Sequence, residues 1–127
     1  MDRVNKITLW YNLSGQKNQK ELRELIVEIS ENFLERINSN QEIRDHLVEY
    51  PFPAKYLDFS ITLIDKEKKG LTNKADTNEI FRGVSLFKGI IRYEFTNEEK
   101  PYVQTLYQEP YEEAFQIVKK QKPDLFS

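Results

Sequence analysis

From Val4 to Leu13 apolar and polar positions alternate, with Ile7, Leu9, Tyr11 and Leu13 set against Lys6, Thr8, Trp10 and Asn12. A period of two predicts a strand with one buried face. Trp10 falls on the wetter face. Its size favours packing beneath another element, and the alternative is a contact surface. After Ser14-Gly15 the period changes. Leu22, Leu25, Ile26, Ile29, Phe33, Leu34 and Ile37 recur at spacings of three and four, opposite Arg23, Glu24, Glu28, Glu31, Glu35 and Arg36. This predicts an amphipathic helix with an acidic outer face, entered through a capping box of Asn18 and Glu21. Ser39 and Glu42 offer a second box, leading into a short helix over about residues 41–49 with Ile43, Leu47 and Val48 inward.

Tyr50-Pro51-Phe52-Pro53 breaks both periods, because each proline disfavours helical geometry in the residue before it. The string reads as a rigid connector whose rings pack on the core, or as an aromatic platform for a partner. Leu57, Phe59, Ile61 and Leu63 then alternate with Asp58, Ser60 and Thr62, a second strand. A polar segment from Lys66 to Glu79 reads as a long hairpin loop. Phe81 to Phe95 contains at least one strand, and Gly83 and Gly89 mark a turn or bulge that divides it in two. Thr96 and Glu99 suggest a short turn or helix entering Pro101 to Gln108. Pro110 suits the start of a final helix in which Tyr111, Ala114, Phe115 and Val118 repeat, with Lys119, Lys120 and Lys122 complementing its dipole and Pro123 ending it. These elements predict an α+β fold: an antiparallel sheet of about three or four strands packed against a long amphipathic helix and a C-terminal helix. A length of 127 residues, of which 16 are aromatic, predicts a single compact domain over 1–127 rather than a disordered chain.

Composition narrows the chemistry more than the fold. The chain has no cysteine, which removes disulfides, thiolate nucleophiles and cysteine-held metal. The lone histidine, His46, excludes any two-imidazole zinc site and leaves a serine triad only with His46 as base. The glycines Gly15, Gly70, Gly83 and Gly89 are dispersed and form no phosphate loop. Ser14 to Lys17 has the Ser-x-x-Lys outline without the supporting motifs of penicillin-recognising enzymes. Asp65, Glu67, Asp76 and Glu79 lack the spacing of a calcium loop. The carboxylate pairs Glu98-Glu99 and Glu112-Glu113 sit at positions read as solvated. No cofactor, metal site or catalytic residue is expected.

The formal charge is −2, and it is spread thinly. Residues 1–17 hold three bases and one acid, 18–50 four and eight, 51–97 eight and six, and 98–127 four and six. No segment has the basic excess of a nucleic-acid binder. No stretch has the length or apolarity of a membrane span. A cytoplasmic protein is expected if Met1 is the native start, and an exported or envelope-anchored one if a leader was removed.

What remains is the aromatic surplus. Tyrosine tolerates half-wet positions and is enriched at interfaces, so Trp10, Tyr50, Phe52, Tyr102, Tyr107 and Tyr111 are the candidate partner-binding residues. The expected function is a non-enzymatic accessory domain that binds a protein or peptide. The alternative is a small ligand-binding protein or hydrolase with a pocket between sheet and helices, built on His46, Tyr93 or buried carboxylates.

Overall fold

A computed structural model describes residues 3–75 and 77–126 of the chain. Strand β1 (Ile7–Ser14) is followed by helix α1 (Gln19–Ser39), a single turn α2 (Gln41–Arg44), strand β2 (Leu57–Ile64), strands β3 (Gly83–Phe87), β4 (Ile90–Phe95) and β5 (Gln104–Pro110), and helix α3 (Tyr111–Gln121). The five strands form one sheet in chain order. The architecture is α+β, as the periodicities predict, with one strand more than expected. The addition is β5, which occupies the segment read as a turn or helix.

A second difference concerns direction. β1 runs parallel to β2, from Ile7 opposite Leu57 to Ser14 opposite Ile64, whereas the other three pairs are antiparallel. Parallel neighbours need a long crossover, and α1 supplies it. The helix begins at the expected capping box, in which Asn18 Oδ1 accepts from the Glu21 N–H at 2.8 Å and the Asn18 N–H donates to Glu21 Oε1 at 3.0 Å. It ends one residue later than Ser39 could cap a successor. Asn40 is the N-cap of α2 instead, its side chain accepting from the Glu42 and Ile43 N–H groups. α2 stops at Arg44 rather than near residue 49. The chain beyond is drawn alongside residue 4: the Val4 N–H donates to the His46 carbonyl at 2.6 Å, and the Val48 N–H to the Val4 carbonyl at 2.9 Å. Only Leu47 of the three expected apolar residues is buried there, while Ile43 and Val48 are exposed.

One face of the sheet is covered. Leu57, Phe59, Ile61 and Leu63 of β2, Val84 and Leu86 of β3, and Ile91 and Tyr93 of β4 are buried with Leu22, Ile26, Val27, Leu34 and Ile37 of α1 and Tyr111, Ala114 and Val118 of α3. Phe33 meets Phe59 edge to face, with ring centroids 5.3 Å apart. Each such side chain contributes about 1.5–3 kcal/mol relative to exposure. The opposite parity carries Trp10, Ser60, Ser85, Arg92 and Gln108 in one cross-strand row, and Asn12, Thr62, Gly83, Glu94 and Thr105 in the next. Among the described residues no helix lies over this face. The β3–β4 hairpin turns on Lys88 and Gly89, both at positive φ (51° and 78°), the geometry of a two-residue turn matched to strand twist.

The segment between β2 and β3 is held chiefly by Asn73, with Thr72 hydrogen-bonded to Thr96 and Asn78 to Asn97. Asn73, 1% exposed, donates to the Ile80 and Thr96 carbonyls at 2.8 and 3.0 Å and accepts from the Ile80 N–H at 2.7 Å. The expected loop from Lys66 to Glu79 is thereby tied to the end of β4. Asp76, one of the four acids weighed for calcium, lies outside the described residues.

Candidate functional site

The six aromatic candidates divide by burial. Phe52 is 1% exposed. It enters the core beneath α1, and Asn38 brackets its backbone by accepting from its N–H at 2.7 Å and donating to its carbonyl at 3.3 Å. The connector reading of the Tyr50–Pro53 string therefore describes Phe52, and the Tyr50–Pro51 peptide bond is cis. Tyr111 is also a core residue, its hydroxyl donating to Glu31 Oε2 at 2.6 Å. The four that face solvent are Trp10, Tyr50, Tyr102 and Tyr107. Trp10 is 78% exposed and stands on the uncovered sheet face rather than beneath another element. Tyr50 lies beyond α2 under the Arg44 guanidinium, 4.1 Å from its ring centroid.

Tyr102 and Tyr107 belong to the edge strand β5 and its approach, on the opposite side of the sheet from Trp10. Four interstrand steps separate β1 from β5, about 19 Å, so the exposed rings form separate surfaces. The β5 surface is the most continuous. Tyr102, Val103, Leu106 and Tyr107 are 63, 50, 46 and 46% exposed, and Tyr102 to Gln108 contains no charged residue. The register shifts between Tyr93 and Glu94 of β4. Leu106 has no partner in that register, so a bulge brings both Leu106 and Tyr107 to the surface.

The strand is anchored by polar chemistry that no sequence motif announced. Glu109, 3% exposed, is the one buried residue of β5. Arg23 of α1 grips it through two bonds, Nε to Oε2 at 2.9 Å and Nη2 to Oε1 at 3.1 Å. The Tyr93 hydroxyl donates to the same Oε2. Hydrogen bonding to Glu109 raises the Arg23 pKa above its ordinary value, with burial opposing. Burial, then Glu109, pushes the Tyr93 phenol well above the usual tyrosine range. Tyr93 is a fixed proton donor at neutral pH, and its ring also supports Tyr107, with centroids 5.8 Å apart. At the end of the strand the Tyr111 N–H donates to the Gly89 carbonyl at 2.9 Å. In the turn that precedes the strand the Lys100 N–H donates to Asn97 Oδ1 at 2.7 Å.

These groups hold rather than react. Tyr93 and Glu109 are closed to solvent, and none of the principal clefts is lined by Arg23, Tyr93, Glu109 or His46. The His46 ring makes no hydrogen bond or ion pair among the described residues. No group of three or more His, Asp or Glu residues able to hold a metal occurs among the described residues, and no described helix is long and apolar enough to cross a membrane. Scans against protein-family models, curated proteins and solved structures return no match for this chain.

Proposed function

We propose that the domain binds an extended segment of a partner protein along the outer edge of β5. The observation that carries this reading is the run Tyr102 to Gln108: an edge strand with four exposed apolar side chains and no charge. Edge strands of monomeric proteins are normally blunted by charges, by inward-pointing acids or by a covering element. Here the bulge and, at the end of the strand, the inward-pointing Glu109 and Pro110 serve that purpose, and the run from Tyr102 to Gln108 carries no charge. Addition of a strand would supply ladder hydrogen bonds to the unpaired edge, and alternate side chains of the incoming segment would rest on Tyr102, Leu106 and Tyr107. Tyrosine supplies large contact area at low entropic cost. The edge is also fixed in advance by its ladder to β4 and, at its far end, by the Arg23–Glu109 clamp, so little ordering would oppose association.

Selection of a random displayed-peptide library against the intact chain tests the proposal. Peptides should enrich on the wild type and fail on Tyr102→Ser/Tyr107→Ser, and a selected peptide should slow amide exchange in β5. The double variant should keep its thermal midpoint to within a few degrees, because the two residues are 63 and 46% exposed. A large loss of thermal stability would assign the two tyrosines to the core, and peptide binding without protection of β5 would place the surface elsewhere.

A further inference from the structure

A cleft of about 410 Å³ lies at the end of the sheet marked by the β3–β4 turn, remote from the edge of β5 proposed above. Three lysines converge on it from separate stretches of chain: Lys6 from the approach to β1, Lys55 from the 3-10 turn that leads into β2, and Lys88 from the hairpin turn. Tyr56 and Phe87 supply aromatic surface between them, with the Lys55 ammonium 5.1 Å from the Tyr56 centroid and the Lys88 ammonium 5.3 Å from that of Phe87. Lys6 and Lys88 have no carboxylate partner among the described residues, and the Lys55 contact with Glu49 is long, at 3.7 Å, and exposed on both sides. Asp58 is the one acid in the lining. The cleft therefore carries a local formal charge of +2, three lysines less one aspartate, on a chain whose net charge is −2.

We infer that this cleft receives an acidic segment of a partner protein, with an apolar side chain seated against Phe87 and Tyr56 and flanking carboxylates meeting the three ammonium groups. Charge complementarity selects the occupant. An apolar floor with a charged rim is the anatomy of a protein contact. A nucleic acid requires a basic track that follows successive phosphates, whereas along this face Thr8, Ser60 and Ser85 are uncharged, Arg92 beside Ser85 is a single base followed along β4 by Glu94, and Asp58 opposes a phosphate. A second copy would have to present an acidic surface from elsewhere on the chain, such as the outer face of α1, in a head-to-tail contact rather than a two-fold one.

The test uses the full chain and a fluorescein-labelled probe, Asp-Glu-Phe-Asp-Glu-Leu, followed by anisotropy. The probe should bind, and its amide counterpart, Asn-Gln-Phe-Asn-Gln-Leu, should not. Affinity should fall as salt rises, because exposed charges are screened over about 10 Å at 0.1 M ionic strength. Lys6→Gln/Lys88→Asn should weaken the probe about five- to tenfold, as expected for two exposed ion pairs; asparagine tolerates the positive φ at position 88. Should that variant lose its fold by circular dichroism, Lys55→Gln replaces it with a smaller expected loss of about threefold. Tyr102→Ser/Tyr107→Ser should bind the probe as the wild type does, which separates this cleft from the β5 edge. Equal affinity for the acidic and amide probes, unchanged binding in the lysine variants, tighter binding of single-stranded oligothymidylate, or concentration-dependent assembly of the chain abolished by the lysine substitutions would each overturn the assignment.

Discussion

Replacing Arg23 by methionine removes the guanidinium and keeps an unbranched stem against α1. The Glu109 carboxylate, 3% exposed, then loses two hydrogen bonds of 2.9 and 3.1 Å and retains only the Tyr93 hydroxyl. Breaking a buried ion pair from one side costs about 3–5 kcal/mol, because the remaining charge is left in a poorly polarisable site. Domains of this kind have about 5–15 kcal/mol in total. At roughly 3–5 °C per kcal/mol for a chain of this length, the thermal midpoint should fall by about 10–20 °C. The double variant Arg23→Met/Glu109→Gln separates charge burial from packing. Its amide oxygen still accepts from Tyr93, and no net charge is buried, so about 2 kcal/mol or more of the loss should return. Urea unfolding followed by circular dichroism measures all three chains. A loss below about 1 kcal/mol for Arg23→Met would mean that Glu109 is solvated in solution. A double variant no more stable than the single one would assign the whole effect to the methionine stem.

Three further outcomes follow from the packing. Glu31 has its pKa raised by burial, partly offset by the Tyr111 hydroxyl, so the folded state holds that proton more tightly than the unfolded state does. Its contribution is present in full near and below the ordinary value of 4.5 and is lost as pH rises through the folded-state value. Urea unfolding of wild type and Glu31→Gln should therefore show the stability difference moving in favour of the variant between acid and neutral pH, and a constant difference would refute the desolvation. At Gly83 an added Cβ would lie 2.0 Å from the Ile61 carbonyl oxygen, so Gly83→Ala must part β2 from β3 and should cost at least about 2 kcal/mol; a neutral result by thermal melt would show that the strands can shift freely. Asn73→Ala strands the Ile80 N–H and carbonyl, while the Thr96 carbonyl keeps the residue 73 N–H at 2.9 Å, and should cost about 2–3 kcal/mol, with limited proteolysis cutting first between residues 65 and 82; cleavage elsewhere would deny Asn73 its clamping role.

The covered face was legible because it is written locally. α1 shows a seven-residue apolar stripe and its own capping box, and β2 alternates without a fault, so period and caps decide both. β5 is hidden for a physical reason: its only buried side chain is an acid, and the bulge at Leu106 breaks the parity, so neither a period of two nor a hydrophobic run exists to read. The start of α2 is obscured by competing caps, since Ser39 and Asn40 both suit the position, and its end by the bridge from Val4 to Leu47, which draws the following residues out of the helix. The clamp joins positions 86 and 16 residues apart, a relation that no spacing rule addresses. Trp10 was placed on the correct parity, but whether anything covered that face depended on where α3 returned, which only the assembled sheet determines.

The same facts connect the clamp to the proposed binding edge. A strand held by apolar burial must turn alternate hydrophobic residues inward, and those residues are then lost to any partner. β5 instead turns inward a single carboxylate, paired to α1 across the whole fold, and is otherwise attached by the backbone ladder to β4 and the contact of the Tyr107 ring with Tyr93. That arrangement leaves Tyr102, Val103, Leu106 and Tyr107 outside while fixing the strand beneath them. It also makes stability and binding separable by position. Substitutions at Tyr102, Val103 and Leu106 alter the surface without a contact to the clamp, and at Tyr107 the one contact is with the Tyr93 ring, whereas Arg23→Met loosens the strand without altering any side chain a partner would meet. If strand addition is the mode of binding, Arg23→Met should weaken a selected peptide at temperatures where the domain is still folded, because an edge that must first be ordered carries an added entropic cost; undiminished affinity in that variant would mean that the partner reads the side chains and not the strand.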